Sequence, residues 1–176
     1  MGREPNREIR VRAECESDHD HVRVIHEAAF GQPAEAHLVD VLRRSASPKI
    51  SRVAEVDGER VGHIFLSPVS IEGKKPRLDC AGLAPLGVLP GFQGMGVGSA
   101  LVRDAMTRCL EFGWASVFLL GDPAYYARFG FALAAPRGLR FESPAFDTAF
   151  QCLELESGAL EGSSGWVRYH EAFAEL

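Results

Sequence analysis

The chain has 176 residues, 46% of them hydrophobic and 24% charged, with a net charge of −5. That length predicts one domain, residues 1–176, with a real hydrophobic core, and the acidic balance argues against a nucleic-acid partner. No apolar run reaches a membrane span, Met1 to Glu8 holds no signal-peptide core, and Cys15, Cys80, Cys109 and Cys152 share no CxxC spacing. A cytoplasmic protein with no membrane, zinc or dithiol redox role is therefore expected.

Residues 9–13 alternate as a short strand, after which Ser17 or Asp18 can cap a helix carrying Val22, Ile25, His26, Ala29 and Phe30. Gly31 ends that helix, and Pro33 opens a second one with Leu38, Val41 and Leu42 on one face. Arg52 to Val56 and Arg60 to Val69 flank Asp57-Gly58, a strong hairpin signal. Gly73 to Pro76 reads as a turn, and Leu78 to Val88 as a strand broken by Pro85, which cannot donate to a ladder. Ser99 to Phe112 has helical pattern, with Leu101, Ala105, Met106 and Cys109 on an apolar stripe that Val97 begins. Ala115 to Leu120 is a buried-type strand, Ala124 to Arg128 a short helix, and Phe131 to Leu133 and Gln151 to Leu155 are closing strands. The order predicts layered α/β (α+β) architecture with a mixed sheet rather than a regular βαβ array.

Between the broken strand and the helix lies Gln93-Gly94-Met95-Gly96-Val97-Gly98. Glycine-rich backbone at a helix start is an anion cradle. A Walker loop would need a lysine that is missing here. A Rossmann fingerprint would need Gly-x-Gly-x-x-Gly, and the third glycine falls on Ser99 or Leu101. The remaining pattern is Gln/Arg-x-x-Gly-x-Gly/Ala. With Leu86-Gly87-Val88 before it and Tyr125-Tyr126-Ala127-Arg128-Phe129-Gly130-Phe131 after it, the chain resembles the GNAT superfamily of N-acetyltransferases, in particular a bacterial subgroup of predicted acetyltransferases.

The resemblance implies a mixed, mostly antiparallel central sheet flanked by helices and splayed between its fourth and fifth strands. It implies acetyl-CoA as cosubstrate, no metal, and an acetyl group passed to a primary amine on a small molecule or peptide. By the family's pattern Gln93, Gly94, Met95, Gly96, Val97, Gly98 and Ser99 hold the pyrophosphate, and Leu86, Gly87 and Val88 pair with the pantetheine arm. Tyr126, four residues before Gly130, protonates the leaving thiolate, and the Leu86 N–H is the candidate for polarising the carbonyl. The base is left open among Asp79, Glu35 and a water chain, since the strand carries no glutamate. Glu35 and His37 border the acceptor cleft. A monomer or homodimer fits equally.

Simpler readings stand beside these. The glycines can be a tight strand-to-helix turn, and Tyr125 and Tyr126 ordinary half-buried aromatics. Asp18-His19-Asp20-His21 reads as a solvated helix start rather than a metal cluster, and His26 and His63 as isolated histidines. A coenzyme A-binding sensor without catalysis is the alternative function.

Overall fold

The computed structural model describes residues 7–73 and 80–176. Strand β1 (Ile9–Ala13) leads through a short turn into α1 (His19–Phe30), which buries Val22, Ile25 and His26. Gly31 ends α1 in the left-handed conformation, and α2 (Ala34–Ser45) follows with Leu38, Val39 and Leu42 buried. The Asp57-Gly58 turn joins β2 (Ile50–Val56) to β3 (Glu59–Pro68) with positive φ at both central residues, as a two-residue hairpin requires. A two-residue β4 (Ser70–Ile71) precedes β5 (Cys80–Val88). The expected strand start at Leu78 and the turn beyond Gly73 lie outside the described residues. Then come α3 (Val97–Phe112), which begins two residues earlier than its pattern suggested, β6 (Ser116–Leu120) and α4 (Pro123–Tyr126). The chain closes with β7 (Ala132–Leu133), β8 (Leu139–Arg140), β9 (Phe150–Glu154) and β10 (Gly165–Arg168).

Seven strands form the central sheet in the order β1-β2-β3-β5-β6-β9-β7, antiparallel throughout except between β5 and β6. One face is packed by α3, whose Val97, Leu101, Val102 and Ala105 are buried with Ala54, Ile64, Leu83 and Val117. The other face is packed by α1 and α2 through Val22, Leu38, Val39 and Leu42 against Val53 and Phe65. A small second sheet, β4-β10-β8, shares a further core with Phe118, Phe150 and Leu160. Its strands of two to four residues are too short to show a period, and the sequence reading missed all three.

The feature that positions the site is a divergence inside the large sheet. β5 pairs with β3 over Ala81, Gly82 and Leu83 and again over Leu86, Gly87 and Val88, with a register shift at Ala84 and Pro85, but with β6 only over Cys80, Ala81 and Gly82. Just there the Tyr169 ring lies against Gly82 so closely that a Cβ would run into it. Beyond this point the strands part. The expected split between the strand holding Pro85 and the strand after the long helix is therefore present, with β4 shifting their numbers to five and six.

Candidate active site

The glycine loop follows β5 and a short 3-10 turn, Pro90–Phe92. The Gln93 side-chain amide donates to the Val88 carbonyl at 3.0 Å, tying the loop back to the strand end. Gly94 and Gly96 have φ of 75° and 88°, where a Cβ would be strained, so both positions favour glycine. Gly96 is the N-cap of the 16-residue α3 and offers no side chain to cap it. The first N–H groups of α3 therefore remain available to an anion, in line with the helix dipole.

A cleft of 280 Å³ opens at this helix start, lined by Gln93, Gly94 and Gly98 from the loop, Leu86 and Val88 from β5, Ala29 and Phe30 from α1, and Tyr125. Of the other loop residues, Met95 is exposed, Val97 turns into the core and Ser99 is half-buried on the first turn of α3. Tyr125 is half-buried, as its simpler reading has it, and it also borders the cleft. Its hydroxyl would lie 2.7 Å from a Cβ on Gly98, so the third glycine makes room for it at the cleft wall. Arg128 stacks over the same ring at 4.5 Å and donates to the Tyr125 carbonyl.

Where β5 and β6 part, a second cavity of 490 Å³ is lined by Leu83 to Leu86, Leu120, Tyr126 and an aromatic wall described below. Phe30 and Leu86 line both spaces, so the two meet across them. The adjacent Tyr125 and Tyr126 rings stand at 89° with centroids 4.9 Å apart, one serving each space. α4 sets this up: Asp122 caps it by accepting from the Ala124 N–H, and Pro123 fixes its first turn. Tyr126 sits on Gly121, where a Cβ would come within 2.6 Å of the ring. Burial, and secondarily Tyr125, pushes the Tyr126 phenol above its ordinary range, so it carries its proton at neutral pH.

Between α1 and the sheet lies a buried polar chain. Glu14 accepts two hydrogen bonds from Arg43 and one, at 2.6 Å, from the Ser51 hydroxyl. That hydroxyl has given its only proton, so it accepts from His63 Nε2 at 2.7 Å. Burial, with the Arg43 charge, lowers His63 to about 3, so the ring is neutral. Its Nδ1 must then accept from His26 Nε2 at 2.8 Å. Burial, with His63, lowers His26 to about 3 also, leaving its Nδ1 a bare, buried lone pair with no partner among the described residues. That nitrogen would lie 2.8 Å from a Cβ on Gly87. Gly87 thus lets α1 lie close against β5, which brings Ala29 and Phe30 to the loop cleft. Two histidines 37 positions apart could not be joined by local pattern. The signal was a polar ring in each of two otherwise apolar faces, opposite a glycine.

The remaining candidates divide. Glu35 lines the cavity and receives the Gln32 amide at 3.2 Å. His37 is exposed, 3.9 Å from a Glu175 carboxylate oxygen, and is not among the lining residues. Asp79 lies outside the described residues. Asp18 corrects the solvated reading of its cluster. It is fully buried, bonded by Arg12 at 2.7 and 2.9 Å, by Arg60 at 2.6 Å and by the Cys15 N–H. Arg12 first, with Arg60 and Cys15, holds its carboxyl well below the usual range, so it stays an anion that clips β1 and β3 to the start of α1.

With this geometry established, residues 10–134 match the family described as Acetyltransferase (GNAT) domain, a stretch that includes both the glycine loop and Tyr126. The chain is 39% identical over 164 residues to the N-acetyltransferase YhbS of Escherichia coli K12, covering 93% of this chain and 97% of that one. It is 39% identical over 117 residues to the N-acetyltransferase YjhQ of the same organism, 65% of each chain. Among solved structures, E. coli YhbS in complex with CoA superposes with a TM-score of 0.90 at 36% identity, over 100% of this chain and 97% of that one. A Brucella melitensis GNAT acetyltransferase in complex with acetyl-CoA superposes at 0.77 with 35% identity, over 95% and 99%.

Proposed function

The chain belongs to the GNAT family of N-acetyltransferases, and from that premise we propose that it passes an acetyl group from acetyl-CoA directly to a primary amine, with Tyr126 as the general acid. The observation that carries this reading is the meeting of the loop cleft and the cavity at Phe30 and Leu86, with Tyr126 on the cavity side. The uncapped start of α3, the two left-handed glycines and the parting of β5 from β6 suit a long ligand with a pyrophosphate at one end and amides along its arm.

In this reading the loop from Gln93 to Ser99 grips the pyrophosphate through backbone N–H groups, and Tyr125 and Arg128 border that grip. The backbone of Leu86, Gly87 and Val88 pairs with the arm, and the Leu86 N–H faces the carbonyl oxygen as charge develops there. Bound acetyl-CoA supplies the reactive thioester. Tyr126, kept protonated by burial, donates to the sulfur as the C–S bond breaks. The amine must arrive neutral or lose a proton on the way, and Glu35 is the carboxylate on α2 nearest to this task by position on the wall. No metal takes part. The protein works in the cytoplasm as a monomer or homodimer.

An acetyl-CoA titration followed by an amine panel, with free thiol as readout, tests the proposal. Saturable binding with amine-dependent thiol release is expected. Tight coenzyme A binding with no amine-dependent release would favour the sensor reading. Absence of coenzyme A binding would defeat both.

A further inference from the structure

We propose that the acceptor is a primary amine carried on an uncharged aromatic or branched aliphatic body, with no carboxylate or phosphate of its own, its ammonium group received by Glu35 and Glu142. The term acceptor rests on the acetyl-transfer reading, whereas the binding preference rests on the cavity alone.

At 490 Å³ the cavity is of a size that takes small organic molecules. Its wall away from β5 is aromatic, built by Phe30, Phe141, Phe146, Tyr169 and Phe173. Four of these rings brace one another, with centroids 5.6 Å apart for Phe141 and Phe146, 5.1 Å for Phe141 and Tyr169, and 5.0 Å for Tyr169 and Phe173. They come from α1, from the segment between β8 and β9 and from the residues after β10, so the apolar wall closes on the cavity from several directions.

The charges on that wall are all of one sign. Glu35 and Glu142 line the cavity, and no Lys, Arg or His does among the described residues. Among the described residues the Glu35 carboxylate meets only the neutral Gln32 amide. Glu142 has no hydrogen bond or ion pair among the described residues. It sits at the tip of a tight turn closed by the Ser143 N–H on the Phe141 carbonyl at 2.5 Å, with φ of 49°. A glutamate held in the left-handed region is strained, and such strain collects where a side chain must be aimed. A cation in this space gains two carboxylates and aromatic neighbours. An amino acid would bring its own carboxylate beside two like charges, in a space with no lining cation among the described residues to pair it. The same argument disfavours phosphorylated amines, and a sugar's several hydroxyls would find few polar side chains on this wall beyond the two carboxylates and two tyrosines.

The test is equilibrium binding to the full chain without donor, by ligand-observed NMR, using 2-phenylethylamine, isoamylamine, L-phenylalanine, glucosamine and a lysine peptide. Saturable binding of the first two is expected, with L-phenylalanine weaker by about 100-fold because it buries an unpaired carboxylate. Glu142→Gln and Glu35→Gln should each weaken phenylethylamine binding by about tenfold, with Kd for coenzyme A unchanged. The coenzyme A measurement also reports that each variant is folded. If neither amine binds, or if L-phenylalanine, glucosamine or the peptide binds as well, the proposal is overturned. Thiol release in the presence of coenzyme A-competent protein judges the acetyl-transfer reading separately, so either can fail without the other.

Discussion

The loop cleft and the aromatic cavity share two residues yet are built on opposite principles. The cleft is made mostly of backbone: glycines of fixed φ, an uncapped helix start and the end of a strand, contributed largely by residues 86–98. The cavity is made of side chains brought from α1, α2, β5, α4 and the irregular segments around 141–146 and 169–176. Backbone recognition needs particular φ values and room for close approach, which few residue types provide. Side-chain recognition needs only shape and charge, which many sequences supply. The contrast predicts that substitutions on the two sides separate into binding and turnover effects.

The largest expected effect lies on the cavity side. Tyr126→Phe removes the proposed acid and should lower turnover by about 100-fold while the Kd for coenzyme A, read by calorimetry, holds. Turnover near wild type would break the division. The next effect falls on the seam. His26 and His63 are depressed from an ordinary 6.5 to about 3. The unfolded chain takes up protons below about pH 6.5 and the folded chain refuses them until about pH 3. Their contribution is therefore complete above pH 6.5 and is lost as pH falls toward 3. Between pH 7 and pH 5 the loss is about 2 kcal/mol for each histidine, measurable by urea unfolding at the two pH values. Because these rings hold α1 against β5, both spaces should loosen together. On the cleft side, Gly94→Ala forces a Cβ into the left-handed region at a cost of about 1–2 kcal/mol. Coenzyme A should then bind about tenfold more weakly, with turnover at saturation unchanged. The smallest effect belongs to Tyr125→Phe, which borders the cleft without touching the cavity lining. Its turnover should stay within about threefold of wild type, since an exchange at the cleft wall removes no acid. A loss matching that of Tyr126→Phe would reverse the assignment of the two rings.

This difference also decides what could be read from the chain beforehand. The glycine spacing at 94, 96 and 98, the short helix from Ala124 and the break at Pro85 are local, and each maps to an observed element. Tyr126 is singled out in the sequence by its distance to Gly130. The base of the aromatic wall was not legible, because Phe141, Phe146 and Phe173 stand in short turns with no period to read. The pair of His26 and His63 was hidden for another reason: its members lie on a helix and a strand that meet only when α1 packs on the sheet. The burial of Asp18 is not legible either, because its neighbours in sequence are polar and the arginines that bury it come from β1 and β3. Glu142 is a charged residue among aromatics whose position at a strained turn belongs to the fold alone.

The parting of β5 from β6 after Gly82 has a consequence for the protein as a material. An unmatched stretch of strand backbone is a template on which other chains can add, and proteins guard such stretches or keep them brief. Here the stretch lies inside the sheet rather than at its rim, screened by Tyr126 and the aromatic wall. A pantetheine arm pairing along it would act as a transient extra strand, and its binding energy would then count toward folding. At a donor concentration 100 times the Kd, the linkage amounts to about 2.7 kcal/mol. The melting temperature of this protein should therefore follow the supply of coenzyme A, so that a starved cell would hold a less durable enzyme than a well-fed one.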